Sequence, residues 1–374
     1  MVLRDTVVKA WAARSTAAVQ TFFALQRKRA RSRQVVTFSS PLSSVIGEID
    51  SLVRRDPAGR GLISTESHFG PLCFGHLLRA AENLASTARS VVIVTGFFVP
   101  DADLPCAETD GPPGAVVLAR ALEAVGIRAT LVTDLPCAPA VRAAARAAGI
   151  DLSVVEIGTR PIKWLIEFLK GDRGSQLTHL IAIERVGPSH DERSLLRQPR
   201  TGPAPLAEFQ RAVPLEHRDR CHNARGKLID GSTIPLHLLF LHGPRRLRSL
   251  KTIGIGDGGN EIGMGCIPWE DLARRIGGEA AAWIPCRVAT DWNIVAGTSN
   301  WGAFALAAAT LLLMNRVDAL RPLDEEFHRR VLEQMVAQGP AIDGMTRRRE
   351  ATVDGLPFAT YIQSWLGIRR LLGL

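Results

Sequence analysis

The chain has 374 residues, 46% of them hydrophobic and 22% charged, the make-up of an ordinary globular protein with room for one large domain or two small ones. Its formal net charge of +9 is concentrated at one end: residues 1–36 hold Arg4, Lys9, Arg14, Arg27, Lys28, Arg29, Arg31 and Arg33 against Asp5, a net of +7, which leaves +2 for the other 338. The body therefore lacks the basic excess of a nucleic-acid footprint, and no nucleic-acid partner is expected.

Residues 1–41 read as a basic N-terminal extension. The segment is rich in Arg, Ala, Ser and Thr and poor in acids, the composition of a mitochondrial transit peptide. A solvated basic helix is the alternative, so the expected compartment is the mitochondrial matrix, with the cytoplasm as second choice. Six cysteines are scattered at neither metal-ligand nor disulfide-framework spacing, and they read as reduced packing residues.

From residue 42 to 374 the pattern is that of one α/β domain. Val45–Arg54 and Leu72–Ala85 have helical spacing, and Val91–Thr95 is a β-branched run that reads as a buried parallel strand. Val116–Gly126 is a helix, Arg128–Thr133 a strand, Ala138–Ala148 a helix, Leu152–Glu156 a strand, Pro161–Lys170 a helix and His179–Glu184 a strand. This alternation predicts a three-layer α/β/α fold with a mainly parallel, Rossmann-like sheet. Residues 189–220 have no clear period and read as an insertion or mobile loop. Ile234–Leu241 fits helix or strand, Trp269–Ile276 a helix, Val288–Val295 a strand, and Leu323–Gln338 and Tyr361–Leu372 further helices. The most apolar run, Gly302–Met314, is shorter than the ~20 residues that span a bilayer, so it reads as a core helix, and no membrane partner is expected.

The stretch richest in chemistry is Thr252–Gly265, TIGIGDGGNEIGMG, with six glycines in fourteen residues. An apolar strand end runs into glycines that let a ligand approach the main chain, and successive N–H groups there can form an anion nest. Asp257, Asn260 and Glu261 inside it point beyond phosphate cradling, towards holding a metal or taking a proton from an amine. A tight strand-to-helix turn with solvated polar residues is the plain alternative. A second polar group, Glu108, Thr109 and Asp110, lies in a strand-to-helix connection, where open α/β sheets place ligands, although Thr109 or Asp110 also suits a helix cap.

GIGDGGNEIGMG resembles the signature of the D-glutamate cyclase family, in its C-terminal catalytic-type domain. VVIVTGFFVP (Val91–Pro100), ETDGPPGA (Glu108–Ala115), LVTD (Leu131–Asp134), HLIAIERVG (His179–Gly187), HNARG (His222–Gly226), AGTSNWGAFAL (Ala296–Leu306) and TVDGLPF (Thr352–Phe358) follow the family in order. Cys221 and His222 stand where tyrosines often precede the family's asparagine, and Cys266 where it usually has a lysine.

The resemblance implies a hydro-lyase that closes D-glutamate to 5-oxo-D-proline with loss of water. Such a site needs carboxylates for proton transfer, oriented N–H donors and a carboxylate clamp. Asp257, Glu261 and Asn260 are the candidate catalytic residues, and Gly258 and Gly259 offer N–H groups to an oxyanion. Thr109, Asp110, Asn223, Ser299 and Asn300 are candidate substrate contacts. Arg185 is a candidate carboxylate clamp or, equally, half of a buried ion pair. Asp257, Glu184 and Glu108 are candidate ligands for Mn²⁺ or Mg²⁺, whose hardness suits oxygen donors. With no GxxxxGK[ST], no nucleotide is expected. Homo-oligomerisation is left open. A metal-dependent enzyme acting on another small carboxylate or phosphate metabolite is one alternative. Larger members of the family carry a second domain before this one, so a non-catalytic binding domain is the other.

Overall fold

The computed structural model describes residues 41–57, 59, 61–63, 70–150 and 154–374. The transit-peptide reading falls on residues 1–41 and lies, apart from Pro41, outside the described residues.

Six apolar runs form one parallel sheet: β1 (Ser90–Thr95), β2 (Arg128–Asp134), β3 (Val155–Ile157), β4 (Leu177–Ile183), β5 (Lys251–Gly256) and β6 (Trp292–Val295). They are buried nearly throughout, as strands covered on both faces must be. On one face Val92, Val94, Val132, Leu180 and Ala182 pack against Leu165 of α5 (Pro161–Phe168) and Leu239 and Phe240 of α6 (His237–Arg246). The other face carries α3 (Pro112–Glu123) and α8 (Ser299–Leu313), which pack on each other. α1 (Pro41–Val53) and α2 (His76–Thr87) lie beside α8, and α4 (Ala138–Ala147) pairs with α9 (Glu325–Gln338). The three-layer expectation holds.

The strand order is β3-β2-β1-β4-β5-β6. The chain winds outward from β1 to β3, then returns so that β4 pairs with β1 on its other side. Ligands of such sheets bind beyond the carboxyl ends of the strands at that reversal. β1, β4 and β5 end there at Thr95, Ile183 and Gly256, followed by Gly96, Glu184 and Asp257.

Several boundaries differ from the pattern reading. Ile234–Leu241, open between helix and strand, begins the helix α6. β6 covers only Trp292–Val295, because Ala289 instead bridges to Gly263 and Met264 of the glycine loop. The final helix is broken into Phe358–Tyr361 and α10 (Gln363–Leu371). Residues 189–220, expected to be an insertion or mobile loop, are in part helical. They hold helices Glu192–Arg197 and Leu206–Ala212, and Leu195, Phe209 and Val213 bury themselves against Trp269 of α7 (Trp269–Ile276). Helices of six and seven residues are too short to declare a period, and the anchoring tryptophan lies far along the chain.

Burial also sets an acid limit on stability. His328, edge-on to Phe304 at 4.7 Å, is held neutral by desolvation, with its pKa lowered to about 3, and burial lowers His190 to about 3 as well. Their neutral forms contribute stability above the ordinary value of 6.5. That contribution falls as pH drops from 6.5 towards 3, because the unfolded chain takes up protons that the folded chain refuses. Urea titrations at pH 7 and pH 5 are expected to show a lower midpoint at pH 5, each such histidine contributing up to about 1.4 kcal/mol per pH unit. A midpoint independent of pH in that range would contradict this.

Candidate active site

The glycine loop after β5 is shaped by one of its own acids. Glu261 Oε1 accepts from the N–H groups of Asp257 (3.1 Å) and Gly258 (2.6 Å), and Oε2 from Gly259 N–H (2.8 Å). The anion nest expected of this loop is thus formed and filled from within. The N–H groups of Gly258 and Gly259, expected to face an oxyanion, donate in this structure to the Glu261 carboxylate, which thereby braces the loop. Glu261→Gln leaves at least one of these buried N–H groups without an acceptor. It is expected to cost about 1–3 kcal/mol in chemical unfolding and to lower activity together with stability.

The loop's folding leaves Asp257 at the end of β5, facing two acids from neighbouring strand ends. Asp110, Glu184 and Asp257 are all buried, and each offers an oxygen within 4.8 Å of the others. Glu184 has a left-handed backbone, φ 46°, which turns its side chain out of the β4 register, and Gly111 beside it has φ 100°, where a Cβ would lie 2.8 Å from the Cβ of Glu184. Strain of this kind gathers at functional sites. Burial, and then the charges of Glu261, Glu108 and Asp110, push the Glu184 carboxyl well above the usual carboxylate range, against the hydrogen bond from Ser299 Oγ (2.6 Å). The N-terminus of α8 offsets part of this negative charge. Ser299 N–H donates to Asp110 Oδ2 (2.7 Å) and Asp257 Oδ2 (3.2 Å), and Asn300 N–H to Asp110 Oδ1 (2.9 Å).

Three buried carboxyl groups within reach of one another, offering only hard oxygen donors, fit a divalent cation. Of the expected ligands, Asp257 and Glu184 belong to this cluster. Glu108 does not: it lines the cavity and packs on Gly344, while Asp110, expected to meet substrate, takes its place in the cluster.

The cavity beside the cluster measures about 290 Å³, at the small end for ligand sites. Asp257, Gly258, Asn260, Glu261, Glu184, Glu108 and Asn223 line it. Asn260 Nδ2 donates to His222 O (2.8 Å), and Asn223 Oδ1 accepts from the N–H groups of Arg225 (3.0 Å) and Lys227 (3.1 Å), so both amides also hold their loops.

Four expected substrate contacts sit behind the wall as braces. Asn300 Oδ1 accepts from Gly111 N–H (3.0 Å) and Gly114 N–H (2.7 Å), clamping α3 to α8. Ser299 is spent on Glu184, and the side-chain cap of α8 is Thr298, one residue earlier. Thr109 Oγ1 donates to Thr352 O (2.7 Å). Arg185 forms the buried ion pair that was one of its two expected roles. It donates to Asp134 Oδ2 (2.6 Å), Gly96 O (2.7 Å) and Ile234 O (2.7 Å), tying together the ends of β1 and β2 and the segment leading into α6. Burial alone would raise the pKa of Asp134; the Arg185 guanidinium outweighs it and holds that carboxyl below its ordinary range.

The cavity also has walls that pattern reading did not assign. Arg225, from HNARG, reaches it while donating to Met345 O (3.1 Å), and Arg347 reaches it while bound to Asp101 (2.6 Å). Asp354, from TVDG, is buried in its wall with a left-handed backbone, φ 54°. All three lie on loops without period; the only signal was that Arg225 and Asp354 stood inside stretches already singled out.

No helix among the described residues is long and apolar enough to cross a membrane. The family model for the C-terminal domain of D-glutamate cyclase-like proteins matches residues 49–195 and 212–366, a match interrupted only across the small-helix segment. A human protein, mitochondrial D-glutamate cyclase, is 32% identical over 290 residues, which is 72% of this chain and 39% of that protein. The chain thus spans about two fifths of the length of that curated relative. By this match over most of its length, the chain belongs to the D-glutamate cyclase-like family.

Proposed function

We propose that the chain closes D-glutamate to 5-oxo-D-proline and water. The observation that supports this best is a small cavity, at the reversal of the sheet, that joins an acidic cluster to an arginine. The reaction is proton-neutral overall. The substrate ammonium loses two protons, its nitrogen bonds to the γ-carboxyl carbon, the bond from that carbon to one oxygen breaks, and that oxygen leaves as water with both protons. A single carboxylate within reach of both atoms can relay them, and Asp257 is assigned that role. Asp110, Glu184 and Asp257 would hold a divalent cation, Mn²⁺ or Mg²⁺, which when bound would offset charge on the γ-carboxylate. Glu108, which lines the same cavity, would meet the substrate ammonium.

Arg225 takes the clamp role first given to Arg185, because it is the arginine that lines the cavity with no carboxylate partner among the described ion pairs. It would bind the α-carboxylate and hold the chain folded for attack. Arg225→Met is expected to raise KM for D-glutamate about tenfold to a hundredfold, the worth of a charge-assisted hydrogen bond, with kcat little changed and the melting temperature unmoved. An unchanged KM removes Arg225 from the site. Formation of 5-oxo-D-proline, followed by mass spectrometry, tests the reaction itself. Phosphate metabolites fit less well, because the acids would repel them. The human relative's name and the composition of residues 1–36 support a mitochondrial location, which imaging of a tagged full-length chain tests.

A further inference from the structure

A second cavity, of about 470 Å³, opens beside the glycine loop and is lined by Cys73, Cys266, His76, Asp271, Arg274 and Arg275. The two sulfurs are 3.7 Å apart although 193 residues separate them in the chain. Both are half-buried, whereas Cys106, Cys137, Cys221 and Cys286 are buried. No third His, Cys, Asp or Glu among the described residues completes a metal set with them, and His76 Nδ1 already accepts from Asn293 N–H (2.9 Å). Two thiols facing each other in an open cavity, without a third ligand, have redox chemistry left to them.

We propose that Cys73 and Cys266 are an oxidisable dithiol, closed to a disulfide by peroxide, that fastens the glycine loop to the turn before α2. The asymmetry of the pair sets the order of events. The hydrogen bond from Cys266, followed by the charges of Arg54 and Arg79, favours the thiolate of Cys73 against its burial. The same hydrogen bond, with burial, holds the proton on Cys266. The Cys73 thiolate attacks one oxygen of hydrogen peroxide, the O–O bond breaks, hydroxide leaves, and Cys73 becomes a sulfenic acid. Cys266 then attacks the Cys73 sulfur, the S–O bond breaks and water departs. In sum, two thiols and one peroxide give a disulfide and two waters. The sulfurs must close from 3.7 Å to a bond of about 2.05 Å.

The position matters because Cys266 directly follows Gly265, at the end of the loop that carries Asp257 and Glu261. Cys73 lies three residues after Gly70, whose carbonyl accepts from Arg275 of α7 (2.6 Å). A disulfide here would fasten the end of that loop to the turn before α2. This inference does not rest on the identity of the substrate.

The test uses the full chain under native conditions. Hydrogen peroxide is expected to remove two hydrogens per chain by intact mass, reversed by dithiothreitol, with a Cys73–Cys266 linked peptide after digestion and a higher melting temperature. In Cys266→Ser, oxidation is expected to stop at a sulfenic acid on Cys73, trapped by dimedone. On the unmodified wild-type chain, iodoacetamide is expected to label Cys73 before any other cysteine, a readout that needs no variant to fold. Peroxide that leaves the pair reduced, oxidation scattered over the four buried cysteines, or labelling of Cys266 ahead of Cys73 would each overturn the proposal.

Discussion

Asp257→Asn is expected to lower turnover of D-glutamate by about a thousandfold, within the range for loss of a proton-transferring side chain, while leaving the melting temperature close to wild type. The amide keeps the shape of the carboxylate, and its oxygen still accepts from Ser299 N–H, which reaches Asp257 Oδ2 at 3.2 Å. It cannot take a proton from the substrate ammonium, and it removes one of the three charges that would hold a cation. Two measurements separate these effects. Steady-state kinetics reads the proton relay, and a Mn²⁺ titration by calorimetry reads the cluster. Set beside Glu261→Gln, which unsettles the loop and lowers stability and activity together, Asp257→Asn should lower activity alone. A variant with more than a tenth of wild-type turnover would take the relay away from Asp257.

The second large effect is on stability. Arg185 and Asp134 are each 1% exposed in their side chains and 2.6 Å apart. Asp134→Ala leaves a guanidinium buried without its charge partner. Such a break costs about 3–5 kcal/mol, on the order of 10 °C in melting temperature. Arg185→Met is expected to destabilise similarly, because the carbonyls of Gly96 and Ile234 lose their donor as well. The double variant, Arg185→Met with Asp134→Leu, should lose less than the sum of the singles, since no unpaired charge remains. Thermal denaturation of the three variants decides the matter. If Arg185 were a substrate clamp, Arg185→Met would raise KM and leave the melting temperature unchanged.

The sheet was legible because its strands are buried on both faces and read as unbroken apolar runs ending at a glycine or an acid, as Val91–Thr95 and His179–Glu184 do. Where a strand is short, or its neighbour is a loop, the signal failed: the pairing of Ala289 with the glycine loop replaces the start of the run expected at Val288. Asp257 and Glu184 were legible as strand-end acids. Which of Glu108 and Asp110 joins them was not, since it depends on the turn at Gly111, whose φ of 100° no pattern reveals. Nor could sequence distinguish a carboxylate facing substrate from one facing its own backbone, as Glu261 does. Sequence alone leaves Arg185 two roles, because its partner, Asp134, lies 51 residues away at the end of another strand. Spacing carries no information on such pairs. Arg225 and Asp354 reach the cavity from loops, where the fold alone decides what faces inward.

The most direct test of the central claim is chiral mass spectrometry of purified chain incubated with D-glutamate or L-glutamate, with and without Mn²⁺. The expected result is loss of D-glutamate matched by 5-oxo-D-proline, with product formation by Asp257→Asn slower by about a thousandfold. Intact D-glutamate under every condition, with a chain shown to be folded by its thermal transition, would contradict the assigned reaction.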